Sequence, residues 1–185
     1  MLSFRLFVAS LSVAAGSASA AQSATPPAPA APAAPAADPC AVPEYHQFDF
    51  WAGQWDVYGP KGKQVANSLI EKVYGCGIRE NWMPFGAGGG GSLNIYVPAS
   101  KHWEQFWIDS GGTRATFIGG LKGKEMVIQG EWGGPLVRIT YTPNADGSVR
   151  QYGEQSTDGG KQWATSFDLL YKPHPAGTPF PTPQG

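Results

Sequence analysis

From Phe50 to Tyr171, apolar and polar residues alternate every second position in short stretches, each closed by a turn. Leu93, Ile95 and Val97 alternate with Ser92, Asn94 and Tyr96, and Val137, Ile139 and Tyr141 alternate with Arg138, Thr140 and Thr142. Met126, Ile128 and Trp132 oppose Val127, Gln129 and Glu131 less regularly, and Trp163, Phe167, Leu169 and Tyr171 share one face of a last stretch. A two-residue period puts successive side chains on opposite faces of a β-strand. The pattern predicts ten strands, over 50–58, 65–74, 77–83, 92–97, 102–109, 113–119, 124–132, 136–142, 148–156 and 162–171. Between them lie short Gly/Pro/Asn/Asp turns such as Ser110-Gly111-Gly112, Gly133-Gly134-Pro135 and Asn144-Ala145-Asp146-Gly147.

Short turns join antiparallel neighbours, so the chain meanders. The expected fold is all-β, an antiparallel up-and-down β-barrel of about ten strands, because closure removes exposed strand edges. A two-sheet sandwich is the alternative. It needs a long crossover, for which the loop around Pro84 to Gly91 is the only candidate. Period two says that each strand has two unlike faces, and leaves open which of them turns inward on strands three to five.

The rest of the chain has other composition. Arg5, the apolar stretch Leu6 to Ala15 and the Ala18-Ser19-Ala20 motif before Ala21 predict a secretory signal peptide over 1–20. Residues 21–39 hold little beyond Ala and Pro, which predicts an extended, disordered linker. The barrel is expected over 40–172, which holds all seven Trp and all seven Tyr, and a Pro-rich frayed tail over 173–185. Export implies a secreted protein, most simply periplasmic. There, Cys40 and Cys76, the only cysteines, are expected to form a disulfide. A formal charge of −1 excludes nucleic-acid binding by bulk charge, and no apolar run is long enough for a membrane span.

The segment FDFWAGQWDVYG, Phe48 to Gly59, resembles the opening strand of calycin-type barrels, in which a Gly-x-Trp element closes one end. Together with SLNIYVP, HWEQFWIDSGG and STDGGKQWATSFDLLY it is similar to a bacterial family of exported lipocalin-like proteins. The resemblance covers nearly all of 40–172. It implies a lipocalin-like barrel with Trp55 packing its closed end, and it permits carriers, haem proteins and a few enzymes alike.

Chemistry-bearing motifs are few. His46, His102 and His174 have no metal-site spacing, and no metal or cofactor is implied. The run Gly86 to Gly91 enters a strand and lacks a following Lys, so it predicts a rim loop and no phosphate site. The most informative group spans strands three to five. A four-residue turn at Pro98 to Lys101 sets Tyr96 opposite Trp103, Asn94 opposite Gln105 and Ser92 opposite Trp107, with Glu80 and Trp82 beside them. Indoles beside amides suit a small-molecule site. The expected ligand-binding residues are Trp82, Asn94, Tyr96, Gln105 and Trp107, with Asp109 and Arg138 nearer the mouth.

The leading expectation is a barrel that binds a small hydrophobic or aromatic molecule without turnover. The alternative is a lyase-, isomerase- or cyclase-type enzyme using Glu80 or Asp109 with Tyr96 as acid and base. A third possibility is a partner- or carbohydrate-binding module with exposed Trp rows as a stacking platform, a reading that exposure of both Trp103 and Trp107 would favour. The sequence assigns no oligomeric state.

Overall fold

All ten alternating stretches form strands, and the strands close on one another. A computed structural model describes residues 38–183. The predicted signal peptide and most of the linker lie outside the described residues. Two short 3-10 turns, Pro43–His46 and Asp49–Trp51, lead into β1 (Gly53–Tyr58), β2 (Gln64–Val73), β3 (Gly77–Pro84), β4 (Gly90–Val97) and β5 (His102–Asp109). Then follow β6 (Arg114–Lys122), β7 (Glu125–Glu131), β8 (Leu136–Pro143), β9 (Val149–Ser156) and β10 (Ala164–Pro173). Each strand pairs antiparallel with its sequence neighbours, and β10 pairs with β1, which makes a closed up-and-down barrel. The sandwich alternative is excluded, since Pro84 to Gly91 is a local hairpin loop between paired strands. Among the described residues no helix is long and apolar enough to cross a membrane.

The first strand begins later than its sequence suggests. Phe50 and Trp51 belong to a 3-10 turn, which tucks Phe48 and Trp51 into one end of the barrel. Their rings stack at 4.9 Å, and Phe48 meets Trp103 and Tyr141 edge-on at 5.7 and 4.9 Å. Trp55 is buried beside them and donates from Nε1 to the Trp51 carbonyl at 2.9 Å. Gly53 lets this packing close tightly, because a Cβ there would crowd the Trp55 indole at 3.2 Å. The Gly-x-Trp element thus closes this end. A Cys40–Cys76 disulfide ties the entering segment to the β2–β3 turn, and Lys72 Nζ donates to Asp49 at 2.6 Å nearby.

The inward face of β4 and β5 is the polar one. Asn94 is 2% exposed whereas Leu93 is 53% exposed, and Ser92 and Gln105 are buried while Ile95, Phe106 and Ile108 face outward. Burying amides and hydroxyls is tolerated because each finds a partner inside. The β10 pattern is also corrected. A register shift between Thr165 and Phe167 keeps Phe167, Leu169 and Tyr171 on the barrel side, while Trp163 precedes the strand and its ring lies outside against Arg138, 4.2 Å away. Residues after β10 do not simply fray. The His174 backbone N–H donates to the Gln54 carbonyl at 2.8 Å, and its ring bonds Asp56 at 2.8 Å and packs on Phe180.

Candidate functional site

Alternate residues on each strand step from the closed end towards the open one. Along β3 they are Ile78, Glu80 and Trp82; along β5, Trp103, Gln105 and Trp107; along β10, Tyr171, Leu169 and Phe167. The interior is therefore stacked, with aromatic packing at the closed end, a polar belt above it and an aromatic-walled space above that.

The space is a cavity of about 320 Å³ lined by Glu80, Trp82, Gln105, Trp107, Phe117, Trp132, Ile139, Gln151, Phe167, Leu169 and Tyr171. Its volume falls at the small end of the ~300–1,000 Å³ usual for small-molecule sites. Two glycines let wall rings lie directly on the sheet. A Cβ on Gly90 would meet the Trp107 ring at 2.6 Å, and one on Gly153 would occupy the place of the Phe167 ring. Trp107 and Trp132 meet at 6.0 Å, and Trp132 and Phe167 at 6.4 Å, both in edge geometry, so the rings brace one another as a wall.

The polar belt is a closed circuit of hydrogen bonds. Gln105 Nε2 donates to Asn94 Oδ1 at 2.7 Å, Asn94 Nδ2 to Ser92 Oγ at 3.0 Å, and Ser92 Oγ to Glu80 Oε2 at 3.1 Å. Ser68 Oγ and Tyr171 OH donate to Glu80 Oε1 at 3.4 and 3.5 Å. The single Tyr171 hydroxyl proton is shared between Glu80 and Gln151 Oε1, which lies nearer at 2.7 Å, and Gln151 and Gln105 both donate to Tyr141 OH, at 3.1 and 3.2 Å. Five strands beyond the predicted patch, counting from β6 to β10, enclose the same space, and four of them, β6, β8, β9 and β10, supply wall or belt residues.

Glu80 is the carboxylate of this interior. Burial pushes its pKa up from 4.5 to about 7, and the hydrogen bonds from Ser92, Ser68 and Tyr171 only partly offset that. Burial likewise raises the Tyr171 and Tyr141 hydroxyls, with the neighbouring Glu80 charge adding to it, so both stay protonated. Two further strand carboxylates lie elsewhere: Glu154 pairs with Arg138 at 2.8 Å and Asp168 with Arg150 at 2.8 Å, each across neighbouring strands.

Of the residues expected from sequence, Trp82, Gln105 and Trp107 line the cavity, as does Glu80. Asn94 sits beneath them in the belt, where its amide also donates to the Ile78 carbonyl at 3.2 Å. Tyr96 packs lower still, against Tyr45 and Trp103, and no hydrogen bond joins it to Glu80. Arg138 is corrected outright: it lies on the opposite face of β8 from inward Val137 and Ile139, bonded to Glu154. Asp109 caps the β5–β6 turn by accepting from Gly111 and Thr113 N–H, and it accepts from Trp107 Nε1 at 3.2 Å. Its burial alone would raise its pKa, but these bonds prevail and hold it low, which suits a cap and not a proton shuttle.

The sequence reading missed Ser68, Phe117, Trp132, Ile139, Tyr141, Gln151, Phe167, Leu169 and Tyr171 as site residues. One signal pointed to Gln151: it shares a face with Val149, two residues away, yet is polar. Trp103 is 1% exposed and Trp107 faces the cavity, so the exposed-Trp stacking platform does not exist. No set of three His, Cys, Asp or Glu able to hold a metal occurs among the described residues.

Comparison with protein-family models and with curated proteins returned no match. The likeness to calycins is therefore one of barrel architecture.

Proposed function

We propose that this protein binds a small, largely aromatic or apolar molecule inside the barrel, in an exported setting. The observation that carries the reading is the aromatic-walled cavity above a hydrogen-bonded floor: Trp82, Trp107, Trp132 and Phe167 offer apolar contact, and Glu80, Gln105 and Gln151 offer a few oriented polar atoms. The Cys40–Cys76 bridge supports export, because disulfides persist in oxidising compartments. Native mass spectrometry of protein purified without denaturation tests the reading. A 1:1 complex with a co-purifying molecule, or with added indole, is expected; failure to retain either contradicts it.

One observation favours a second reading, proton transfer on a bound carbonyl compound. Glu80 is a buried carboxylate titrating near neutrality beside a protonated hydroxyl, which is the pairing that acid–base chemistry needs. The hydroxyl belongs to Tyr171 and not to Tyr96. In that reading the Glu80 carboxylate takes the α-proton while Tyr171 donates a hydrogen bond to the developing enolate oxygen. Glu80-dependent deuterium exchange at the α-carbon of 2-indanone, followed by NMR, is the expected result; exchange equal to that of Glu80→Gln removes this reading.

A further inference from the structure

We propose that the cavity selects molecules carrying a protonated amine on an aromatic body, with Glu80 as the counter-charge. The inference rests on the small-molecule reading above and narrows its ligand class.

Glu80 is 4% exposed, and no Lys, Arg or His lines the cavity among the described residues. A charged carboxylate in such a place is costly until a cation joins it. The protein supplies none, so the ligand is the available source. The carboxylate also has room for one more donor. A carboxylate accepts at about four lone-pair positions. Ser68 and Tyr171 occupy two on Oε1 and Ser92 one on Oε2, which leaves Oε2 with a free position.

The hydrogen bonds are polarised in the same sense. From Gln105 through Asn94 and Ser92, each donor points towards Glu80, so the chain stabilises negative charge at its end. The walls fit a cation too. Trp82, two residues from Glu80 on the same face of β3, and Trp107 on β5 bring indole π-systems to the same space as the carboxylate. Indole faces attract an ammonium group. An anionic ligand head meets only Glu80 as a charged neighbour and is repelled.

The groups that face Glu80 from every packed element are neutral. They are Ser68 from β2, Ser92 and Asn94 from β4, Gln151 from β9, and the protonated hydroxyls of Tyr141 on β8 and Tyr171 on β10. Affinity for an amine should accordingly follow the ionisation of Glu80 alone, weak at pH 5 and strong at pH 8.

The test is isothermal titration of the full chain with tryptamine, tryptophol and indole-3-acetate, which share an indole body and differ in the head. At pH 8 tryptamine is expected to bind about tenfold to a hundredfold more tightly than tryptophol, with indole-3-acetate weakest. The tryptamine advantage should shrink at pH 5 and vanish in Glu80→Gln. The wild-type series stands even where that variant fails to fold. Equal binding of tryptamine and tryptophol at pH 8, or a tryptamine advantage that does not change with pH, overturns the amine assignment while leaving the cavity reading intact. If none of the three binds, the cavity reading falls, and this inference falls with it.

Discussion

Gln105 and Asn94 stand opposite each other on β5 and β4, and Gln105 Nε2 donates to Asn94 Oδ1 at 2.7 Å inside the barrel. Neither amide is spent on solvent. The pair links the cavity surface, which Gln105 reaches, to the Ser92–Glu80 end of the belt, which Asn94 feeds. The first prediction follows from that link. Asn94→Leu leaves Gln105 short of an acceptor and Ser92 short of a donor, at about 1–3 kcal/mol for a buried unsatisfied group. Urea denaturation should show a loss of that order. Because Asn94 does not line the cavity, its replacement should act mainly on stability and not on the shape of the site.

Glu80 predicts a pH dependence with a definite sign. Its folded pKa, about 7, lies above its ordinary value of 4.5, so the folded state holds the proton more tightly than the unfolded chain does. Its favourable contribution is fully present below about pH 4.5 and is lost as pH rises through about 7, a span on the order of 3 kcal/mol. Glu80→Gln should remove this slope. The stability difference between variant and wild type should move in favour of the variant from pH 5 to pH 8; a constant difference across that range contradicts the assignment.

Much of this was legible from the residues. Alternation and short turns marked all ten strands, and the Pro98–Lys101 turn alone fixed the register that pairs Tyr96, Asn94 and Ser92 with Trp103, Gln105 and Trp107. The sense of the faces was not legible. Leu93 and Ile95 look like core and Ser92 and Asn94 like surface, and the reverse holds because the belt satisfies the polar groups across strands distant in sequence. Tyr171 reaches Glu80 from 91 residues away, and no local pattern encodes that meeting. Arg138 was misplaced for a similar reason. It alternates correctly with Val137 and Ile139, and its charge belongs to the outer pair with Glu154.

The closed end should behave as structural packing. Trp55 is buried, with its indole held by the Trp51 carbonyl. Trp55→Ala should cost about 3–5 kcal/mol in chemical denaturation, as large-to-small core changes do, while the amine preference of the folded fraction persists.

The Cys40–Cys76 bridge spans 36 residues of sequence. On the chain-entropy model a loop of that size contributes roughly 4 kcal/mol. Reduction, or the double change to Ser, should lower the denaturation midpoint accordingly, and intact mass should rise by two hydrogens on reduction.

Cavity volume can be reduced without touching a polar atom. Gly153→Ala sets a Cβ where the Phe167 ring now lies and drives that ring from its seat. Binding of indole-sized probes should weaken at least about tenfold, a change of roughly 1.4 kcal/mol, with circular dichroism still reporting a β fold.

The position of a bound aromatic molecule tests the central claim most directly. Crystals grown with 5-bromoindole carry an anomalous bromine signal that locates the probe without interpretation of ring density. One peak is expected inside the barrel, within the space bounded by Trp82, Trp107, Trp132 and Phe167. A peak confined to the outer face around Leu93, Phe106 and Ile108, or no peak at saturating probe, would contradict a ligand-binding interior.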